Sequence, residues 1–372
     1  MFVCRKRLTI AAAAVALLAP GCTGLGTKAT TPARPSIETI LVHATTAMPA
    51  AAPQSLARLP GVRWSRLATN GMVDLIAASG GKTLPVRKRG AILPFAIAAY
   101  EPLPGAGDAL SAQLSAGRAV IPPVTARFRG LSPGGMITLG VGTKRVTVVI
   151  GAILEDVRVE DEEAVIPLAA ARQIGMDDVR DVFIGVAAHG AERIRGLAAE
   201  AAAPASVRVG AMDVIRSPAG GRLLSLAQIK EQFGEFTAVR GGKRVLQPDT
   251  AWLKRNIVRT TIPLIGYTAC NSQIVPLFAG AMREVKSAGL GSLIKEYAGC
   301  YAPTVLSADE AQISRHAWGI AVDLNPSTNG FGDPPTQDAR LVRIMAKWGF
   351  SWGGLWLIPD GMHFEYTGRP AL

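Results

Sequence analysis

Two short segments near the carboxyl end constrain the fold of this chain more than any other feature. Each holds one of the four histidines together with a carboxylate at a short spacing. Asp323 follows His316 by seven residues, and His363 follows Asp360 by three. A separation of seven residues does not suit one face of a helix, but it suits a turn that leads into a strand.

The residues around these side chains alternate between apolar and small or polar types. The alternation runs through residues 319–325 and returns in residues 362–366, so both stretches are predicted as β-strands. Two neighbouring strands would present His316, Asp323 and His363 to one point. Two imidazoles and one carboxylate, with a fourth position left to water, form the donor set of a catalytic zinc site.

The same residues follow the pattern Ser-x-His-x-x-Gly-x-Ala-x-Asp and then Asp-x-x-His. This pattern resembles the zinc D-Ala-D-Ala carboxypeptidases and L-Ala-D-Glu endopeptidases that cut peptidoglycan stem peptides, the VanY-like enzymes. The tryptophan-rich residues 348–356 are similar to those of exported actinobacterial members, and the resemblance spans about residues 225–372. The first motif is filled by Ser314, His316, Gly319, Ala321 and Asp323.

The resemblance implies one Zn²⁺ per chain, bound by His316, Asp323 and His363, and it implies that Asp360 is the general base. The Asp-x-x-His form is more similar to the endopeptidase branch. Ser314 and Glu365 are expected to orient a ligand imidazole or the nearby backbone. The implied fold is α+β, with a carboxyl-terminal zinc peptidase domain of the Hedgehog/DD-peptidase type, in which helices flank a small antiparallel sheet.

The chain departs from the family pattern at one place. Many relatives carry an arginine shortly before the first motif, which is thought to hold a carboxylate of the substrate. The matching residues 299–304 contain none. How the substrate carboxylate is held, and which stem-peptide bond is cut, therefore stay open.

The amino-terminal residues are typical of an exported lipoprotein. Three basic residues precede an apolar run that is too short to span a bilayer, and Cys22 follows a small-residue site. Residues 1–22 are predicted to be the signal, with a lipid on Cys22 that anchors the protein to the membrane, facing the cell wall. Ordinary secretion is the alternative. Residues 23–36, rich in Thr, Ala, Gly and Pro, are predicted to be a flexible tether.

The remainder divides into three predicted parts. Residues 37–214 form a strand-rich, mixed α/β domain with a hairpin over residues 136–154 and short helices over residues 108–114 and 166–174. Part of this domain resembles the extracellular core of MacB-type ABC permeases, which implies an interaction or spacer role. Residues 215–254 are a connector, and residues 255–372 are the zinc peptidase domain.

Two cysteines remain inside the predicted peptidase domain, Cys270 and Cys300. Neither belongs to a Cys-x-x-Cys pair, which disfavours a structural zinc site, and in an exported protein they are predicted to form a disulfide. A helix is predicted in the loop between them, between Pro276 and Gly289. A second helix, over residues 337–348, is predicted to be capped by Thr336.

The chain carries a net charge of +12, and loss of the three basic signal residues leaves +9. A basic surface can bind nucleic acid, but the sequence holds no nucleic-acid motif, and an exported protein meets anionic wall polymer first. Three functions remain: a zinc peptidase that acts on stem peptides, a wall-binding module without turnover, and an envelope adaptor that works through its first domain. Protein partners and oligomeric state stay open.

Overall fold

The computed structural model describes residues 37–44, 48–103, 108–156, 158–159, 162–187, 191–202, 207–211, 223–242, 244–305 and 312–368. The predicted signal, the lipidation site Cys22 and the predicted tether lie outside these residues and stay predictions. The described residues form a mixed α/β structure, as expected from the sequence. None of their helices is long and apolar enough to cross a membrane.

A nine-stranded sheet makes up most of the amino-terminal half. Its strands are β1 (Ile37–Ala44), β2 (Val62–Ser79), β3 (Pro94–Tyr100), β4 (Ala119–Ile121), β5 (Met136–Val141), β6 (Lys144–Ile153), β7 (Ala164–Pro167), β8 (Asp181–Ala187) and β9 (Val207–Ala211). Their order in space is β3-β7-β4-β6-β5-β2-β8-β1-β9. The pairs β3–β7 and β4–β6 are parallel, and the other neighbours are antiparallel.

The 18-residue strand β2 connects the two halves of this sheet. Its first part pairs with β8, its middle with β3 and its last part with β5. The predicted hairpin over residues 136–154 is confirmed as β5 and β6, where Leu139 pairs with Val146 and both side chains are buried. Gly142 takes a positive φ of 57° in the connecting turn, a conformation that favours glycine.

Within the described residues, five short helices accompany the sheet. They are α1 (Ala52–Ala57), α2 (Ala109–Ser115), α3 (Pro123–Arg129), α4 (Leu168–Gln173) and α5 (Ala191–Ala201). The helix predicted over residues 108–114 is confirmed as α2, and the Asp108 carboxylate caps it by accepting the Ser111 N–H at 2.9 Å. The helix predicted over residues 166–174 begins only at Leu168, because the residues before it extend the sheet as β7.

Residues 223–256, apart from residue 243, contain α6 (Leu226–Phe233), β10 (Ala238–Arg240), β11 (Leu246–Pro248) and α7 (Thr250–Asn256). β10 and β11 form a small antiparallel hairpin. Trp252 on α7 is fully buried against Phe236, and its indole N–H donates to the Phe233 carbonyl at 3.1 Å. These residues therefore contribute to the hydrophobic core as well as linking the two halves.

The carboxyl-terminal half is built on a four-stranded antiparallel sheet in the order β14-β15-β17-β16. Its strands are β14 (Tyr297–Gly299), β15 (Ala321–Leu324), β16 (Phe350–Trp352) and β17 (His363–Tyr366). Strands β12 (Ile257–Ile262) and β13 (Gly266–Asn271) form a separate hairpin, and the helices are α8 (Val275–Ser287) and α9 (Ala339–Lys347). α8 confirms the helix predicted between Pro276 and Gly289. α9 packs against both α8 and β16.

The predicted cap of α9 is wrong. The helix begins at Ala339, and its cap is Asp338, whose carboxylate accepts the Arg340 N–H at 2.8 Å. Thr336 is occupied elsewhere: its hydroxyl donates to the Thr328 carbonyl at 2.9 Å, and its own N–H donates to Asn329. Both side chains can cap a helix, and these contacts with the preceding loop decide between them.

The predicted disulfide between Cys270 and Cys300 is confirmed, and it joins the end of β13 to the residue after β14. The hydrophobic core of the carboxyl-terminal half also includes Met72, which lies on β2 of the large sheet. Residues Ile37–Leu372 accordingly form one compact unit. The predicted domain boundaries at residues 214 and 254 stay predictions.

Candidate metal centre

His316 lies in a short 3-10 turn, Arg315–Trp318, which leads into β15. The Ser314 hydroxyl caps this turn by accepting the His316 N–H at 3.2 Å. Gly319 ends the turn with a positive φ of 65°, and a Cβ there would lie 2.8 Å from the Asn271 nitrogen. Only glycine fits this position. Gly319, the third residue after His316, therefore determines how the turn enters β15.

Strands β15 and β17 bring the other two predicted ligands together. Asp323 pairs directly with His363 across the two strands, and Ala321 pairs with Glu365. Because side chains alternate along a strand, Asp323, His363 and Glu365 lie on the same face of the sheet. The alternation in the sequence predicted these residues on neighbouring strands, and the structure has this arrangement.

The three predicted ligands converge on one point. His316 Nε2 lies 3.2 Å from Asp323 Oδ1 and 3.2 Å from His363 Nδ1, and His363 Nδ1 lies 3.2 Å from Asp323 Oδ1. All three ligand atoms are within 4.8 Å of one another. Both histidines are buried, at 8% and 6% exposure. Two imidazole nitrogens and one carboxylate oxygen gathered in this way form a donor set that suits zinc.

Each imidazole is also held through its second nitrogen. His316 Nδ1 donates to the Cys300 carbonyl oxygen at 2.9 Å, and His363 Nε2 donates to Glu365 Oε2 at 3.2 Å. In the neutral form of each ring, these contacts leave the lone pair that faces the centre on His316 Nε2 and on His363 Nδ1. Glu365 therefore contacts a ligand ring, whereas Ser314 contacts the backbone. The Cys300 carbonyl was not predicted from the sequence, because the sequence does not show which backbone carbonyl will accept a hydrogen bond.

The charges at the centre perturb one another. Burial raises the pKa of the Asp323 carboxyl, but hydrogen bonds from His316 and His363 outweigh burial and hold that pKa below its usual range. Burial lowers the pKa of His363, but its contacts with Asp323 and Glu365 outweigh burial and raise that pKa to about 10. Without a metal ion, His363 is therefore the site of a strongly held proton.

Asp360 lies at the edge of this cluster. Its backbone carbonyl accepts the His363 N–H at 3.1 Å, and its own N–H donates to the Gly353 carbonyl at 3.0 Å. Among the described residues, Asp360 Oδ1 is buried and has no hydrogen-bond partner, and the same holds for Nε1 of Trp356, whose ring lies 5.2 Å from the His363 ring. Burial also raises the pKa of the Asp360 carboxyl. A buried acceptor and a buried donor without partners suit a site that takes up a polar ligand.

Comparison with known proteins supports a peptidase resemblance for this region. Residues 308–366 match a protein family described as D-alanyl-D-alanine carboxypeptidase. The matched stretch contains His316, Asp323, Asp360 and His363, but it is a small part of the chain. None of the curated protein sequences compared matches the chain. The match therefore points to a carboxypeptidase-like function without specifying a substrate or a metal.

Several solved structures are similar to about half of the chain. The periplasmic region of MacB from Actinobacillus actinomycetemcomitans is 8% identical, with a TM-score of 0.34, over 48% of this chain and 90% of that one. The extracellular domain of the noncanonic ABC-type transporter YknZ from Gram-positive bacteria is 15% identical, with a TM-score of 0.30, over 44% of this chain and 92% of that one.

A domain of a putative permease protein from Porphyromonas gingivalis is 13% identical, with a TM-score of 0.29, over 47% of this chain and 87% of that one. At these TM-scores the three likenesses establish neither a fold nor a function for any part of the chain. The resemblance of residues 37–214 to MacB-type permeases stays a prediction.

Proposed function

We propose that this protein is a zinc-dependent peptidase that hydrolyses peptidoglycan stem peptides, as a D-Ala-D-Ala carboxypeptidase or an L-Ala-D-Glu endopeptidase. The observation that carries the proposal is the convergence of His316, Asp323 and His363 within a segment that matches a carboxypeptidase family. Asp360 beside this cluster, with a buried and unpartnered oxygen, supports turnover over mere binding. We further propose that the peptidase half has a Hedgehog/DD-peptidase-like fold.

His316 Nε2, His363 Nδ1 and an Asp323 oxygen would hold one zinc ion. When bound, zinc acidifies a water molecule and polarises the carbonyl group of the scissile peptide bond. The Cys300 carbonyl and Glu365 keep both imidazoles in the tautomer that directs a lone pair to the centre.

Asp360 then performs the proton transfers. Its carboxylate accepts a proton from the attacking water and later delivers that proton to the nitrogen of the departing amine, so hydrolysis yields one new carboxylate and one new amine. A pKa raised by burial suits this role, because a base with a higher pKa accepts the proton more readily. The Asp360 oxygen without a protein partner is the atom to which we assign this work.

We also propose that the protein is exported and anchored by a lipid on Cys22, with the peptidase half facing the cell wall. This proposal rests on the basic and apolar amino-terminal pattern. The wall is then both the location and the substrate, and the net positive charge of the chain suits an anionic polymer. Nucleic acid is not among the proposed partners.

The decisive experiment is digestion of purified peptidoglycan by the zinc-loaded chain, with mass spectrometry of the released peptides. Wild-type protein should generate one type of new end, and that end identifies the bond that is cut. Asp360→Asn should keep its zinc and melting temperature but lose about 10²–10⁴-fold in turnover. His316→Ala should lose both metal and activity.

Asp178→Asn, an exposed aspartate of the amino-terminal half, is the matched control and should behave like wild type. A zinc-loaded wild-type protein that leaves the stem peptides intact would contradict the proposal. Full turnover by Asp360→Asn would instead contradict only the assignment of Asp360 as the general base. Glu365 would then become the next candidate for the base.

A further inference from the structure

The turn that carries His316 is hydrogen-bonded at both ends to one segment of the chain, residues 224–235, which we call the α6 segment. The Arg315 guanidinium donates to the Leu224 carbonyl at 3.2 Å, just before α6 begins. The Trp318 indole donates to the Gly234 carbonyl at 3.1 Å, just after α6 ends. These two residues stand on either side of His316, so the α6 segment holds the turn at both ends.

Arg315 is also connected to His363, the second histidine of the centre, through Glu365. Its Nε lies 3.8 Å from Glu365 Oε1, while the other Glu365 oxygen contacts the His363 ring. The Arg315 side chain is 24% exposed, whereas that of Glu365 is 4% exposed. One guanidinium therefore connects the α6 segment to the partner of His363 as well as to the His316 turn.

The α6 segment is in turn bound to the amino-terminal sheet by buried charges. Lys230 of α6 lies 2.6 Å from Glu163 and donates to the Pro94 carbonyl at 2.5 Å, and both charged side chains are at most 1% exposed. Glu235, just after α6, pairs with Arg129 at the end of α3, and this pair is also buried. Removing one partner from a buried ion pair is strongly destabilising, because the other charge is left without compensation.

Glu163 fixes this contact to the sheet itself. It directly precedes β7, and its Oε2 accepts the Ala96 N–H of β3 at 3.0 Å in addition to Lys230. A third ion pair, between Arg127 of α3 and Glu231 of α6, is largely exposed to solvent. An exposed pair of this kind contributes little to stability. The α6 segment is thus joined to the amino-terminal half by two buried pairs and by this exposed pair.

From this chain of contacts we propose that the amino-terminal sheet is a positioning part of the peptidase site. Through Glu163, Lys230 and the α6 segment it holds the Arg315–Trp318 turn, and with it His316, in the orientation required at the centre. This assigns the amino-terminal half a role in the reaction without placing it in contact with substrate. The effect on zinc rests on the proposed function, whereas the effect on the turn does not.

The test uses the full chain and two variants. Lys230→Met combined with Glu163→Gln removes both buried charges, while glutamine keeps an oxygen for the Ala96 N–H. Arg315→Met removes the contacts of the turn with Leu224 and Glu365 at a side chain that is partly exposed. The matched control is Arg127→Ala with Glu231→Ala, which removes the exposed pair between α3 and α6.

Hydrogen exchange of the metal-free proteins is measured at the amides of residues 314–319, with the β5–β6 hairpin as the internal reference. Both variants should exchange at least about tenfold faster in the turn, with no change in the hairpin, and the control should match wild type. Chelator competition on the zinc-loaded proteins should show dissociation constants about 10–100-fold higher in the variants, the range found when partners of metal ligands are removed.

If the amides of residues 314–319 exchange in Arg315→Met at the same rate as in wild type, the proposal is overturned. This test remains available even if the doubly substituted protein does not fold. Equal acceleration in the turn and the hairpin would also overturn it, because that result reports a general loss of stability. If the turn loosens as expected but wild-type protein binds no zinc, the positioning role stands and the proposed peptidase function fails.

Discussion

The disulfide between Cys270 and Cys300 makes a contribution to stability that can be calculated from its place in the chain. The two cysteines are 30 residues apart. In the chain-entropy model, closing such a loop removes about 12 cal/mol/K from the entropy of the unfolded chain, or about 3.6 kcal/mol at 25 °C. Reduction of the disulfide should therefore lower the free energy of unfolding by about 3.6 kcal/mol.

Reduction should not dismantle the metal centre of the folded protein. The backbone that follows Cys300 is held independently of the sulfur atoms: Tyr301 N–H donates to the Ala269 carbonyl at 2.9 Å, and Ala302 N–H donates to the His316 carbonyl at 3.0 Å. The Cys300 carbonyl thus keeps its place beside the His316 ring. Folded, reduced protein is expected to retain its zinc.

The measurement is urea unfolding followed by tryptophan fluorescence, with and without a thiol reductant, together with zinc analysis of the folded samples. The control is Cys270→Ala with Cys300→Ala, which should not respond to reductant. Equal free energies of unfolding for oxidised and reduced protein would refute the loop argument. Loss of zinc from reduced protein that is still folded would refute the claim that the backbone bonds alone hold the Cys300 carbonyl.

Four further predictions follow: two concern the centre, one the helix α9 and one the anchor. Glu365→Gln should raise the zinc dissociation constant about 10–100-fold in chelator competition, since the glutamine amide holds the His363 ring less firmly. Glu296→Gln, at an exposed glutamate, is the control and should leave the zinc dissociation constant unchanged. Because the pKa of His363 is raised to about 10 in the metal-free protein, zinc must displace a proton from this ring at neutral pH. The affinity of the protein for zinc should therefore rise about tenfold per pH unit between pH 6 and 8. A zinc affinity that does not change with pH would contradict this prediction. Asp338→Ala should lower the free energy of unfolding by about 1 kcal/mol through loss of the α9 cap. Thr336→Val should leave the α9 cap in place. Cys22→Ser should move the protein from the membrane fraction to the medium, and wild-type protein already in the medium would exclude lipid anchoring.

The sequence was most informative where one local rule decided the outcome. Alternation along residues 319–325 and 362–366 predicted two strands, and strand geometry then required Asp323 and His363 to share a face once the strands paired. The β5–β6 hairpin and the disulfide were predictable for similar reasons. In each case the residues that carry the signal lie close together in the chain or leave no alternative partner.

Features decided by distant contacts were not predictable. The Cys300 carbonyl became a partner of His316 only through folding, and the choice of Asp338 over Thr336 as a helix cap depended on a loop that occupies Thr336. Lys230 lies in the segment predicted to be a connector, yet it is buried against Glu163. A charged residue in a sequence does not reveal whether a partner lies 67 positions away.

The position of β1 in the large sheet governs the order in which that sheet can be completed. The first strand of the described chain lies between β8 and β9, so its partners are residues 181–187 and 207–211. At about 5–20 residues per second of synthesis, β8 begins to be synthesised roughly 7–30 s after β1 is complete. Until then β1 has no β8 to pair with. Pairings this distant in the chain form slowly, because a large loop must close before any contact compensates for its entropy. During that interval β1 is an unpaired strand open to incorrect partners, and the amino-terminal half depends on its last strands to shield its first.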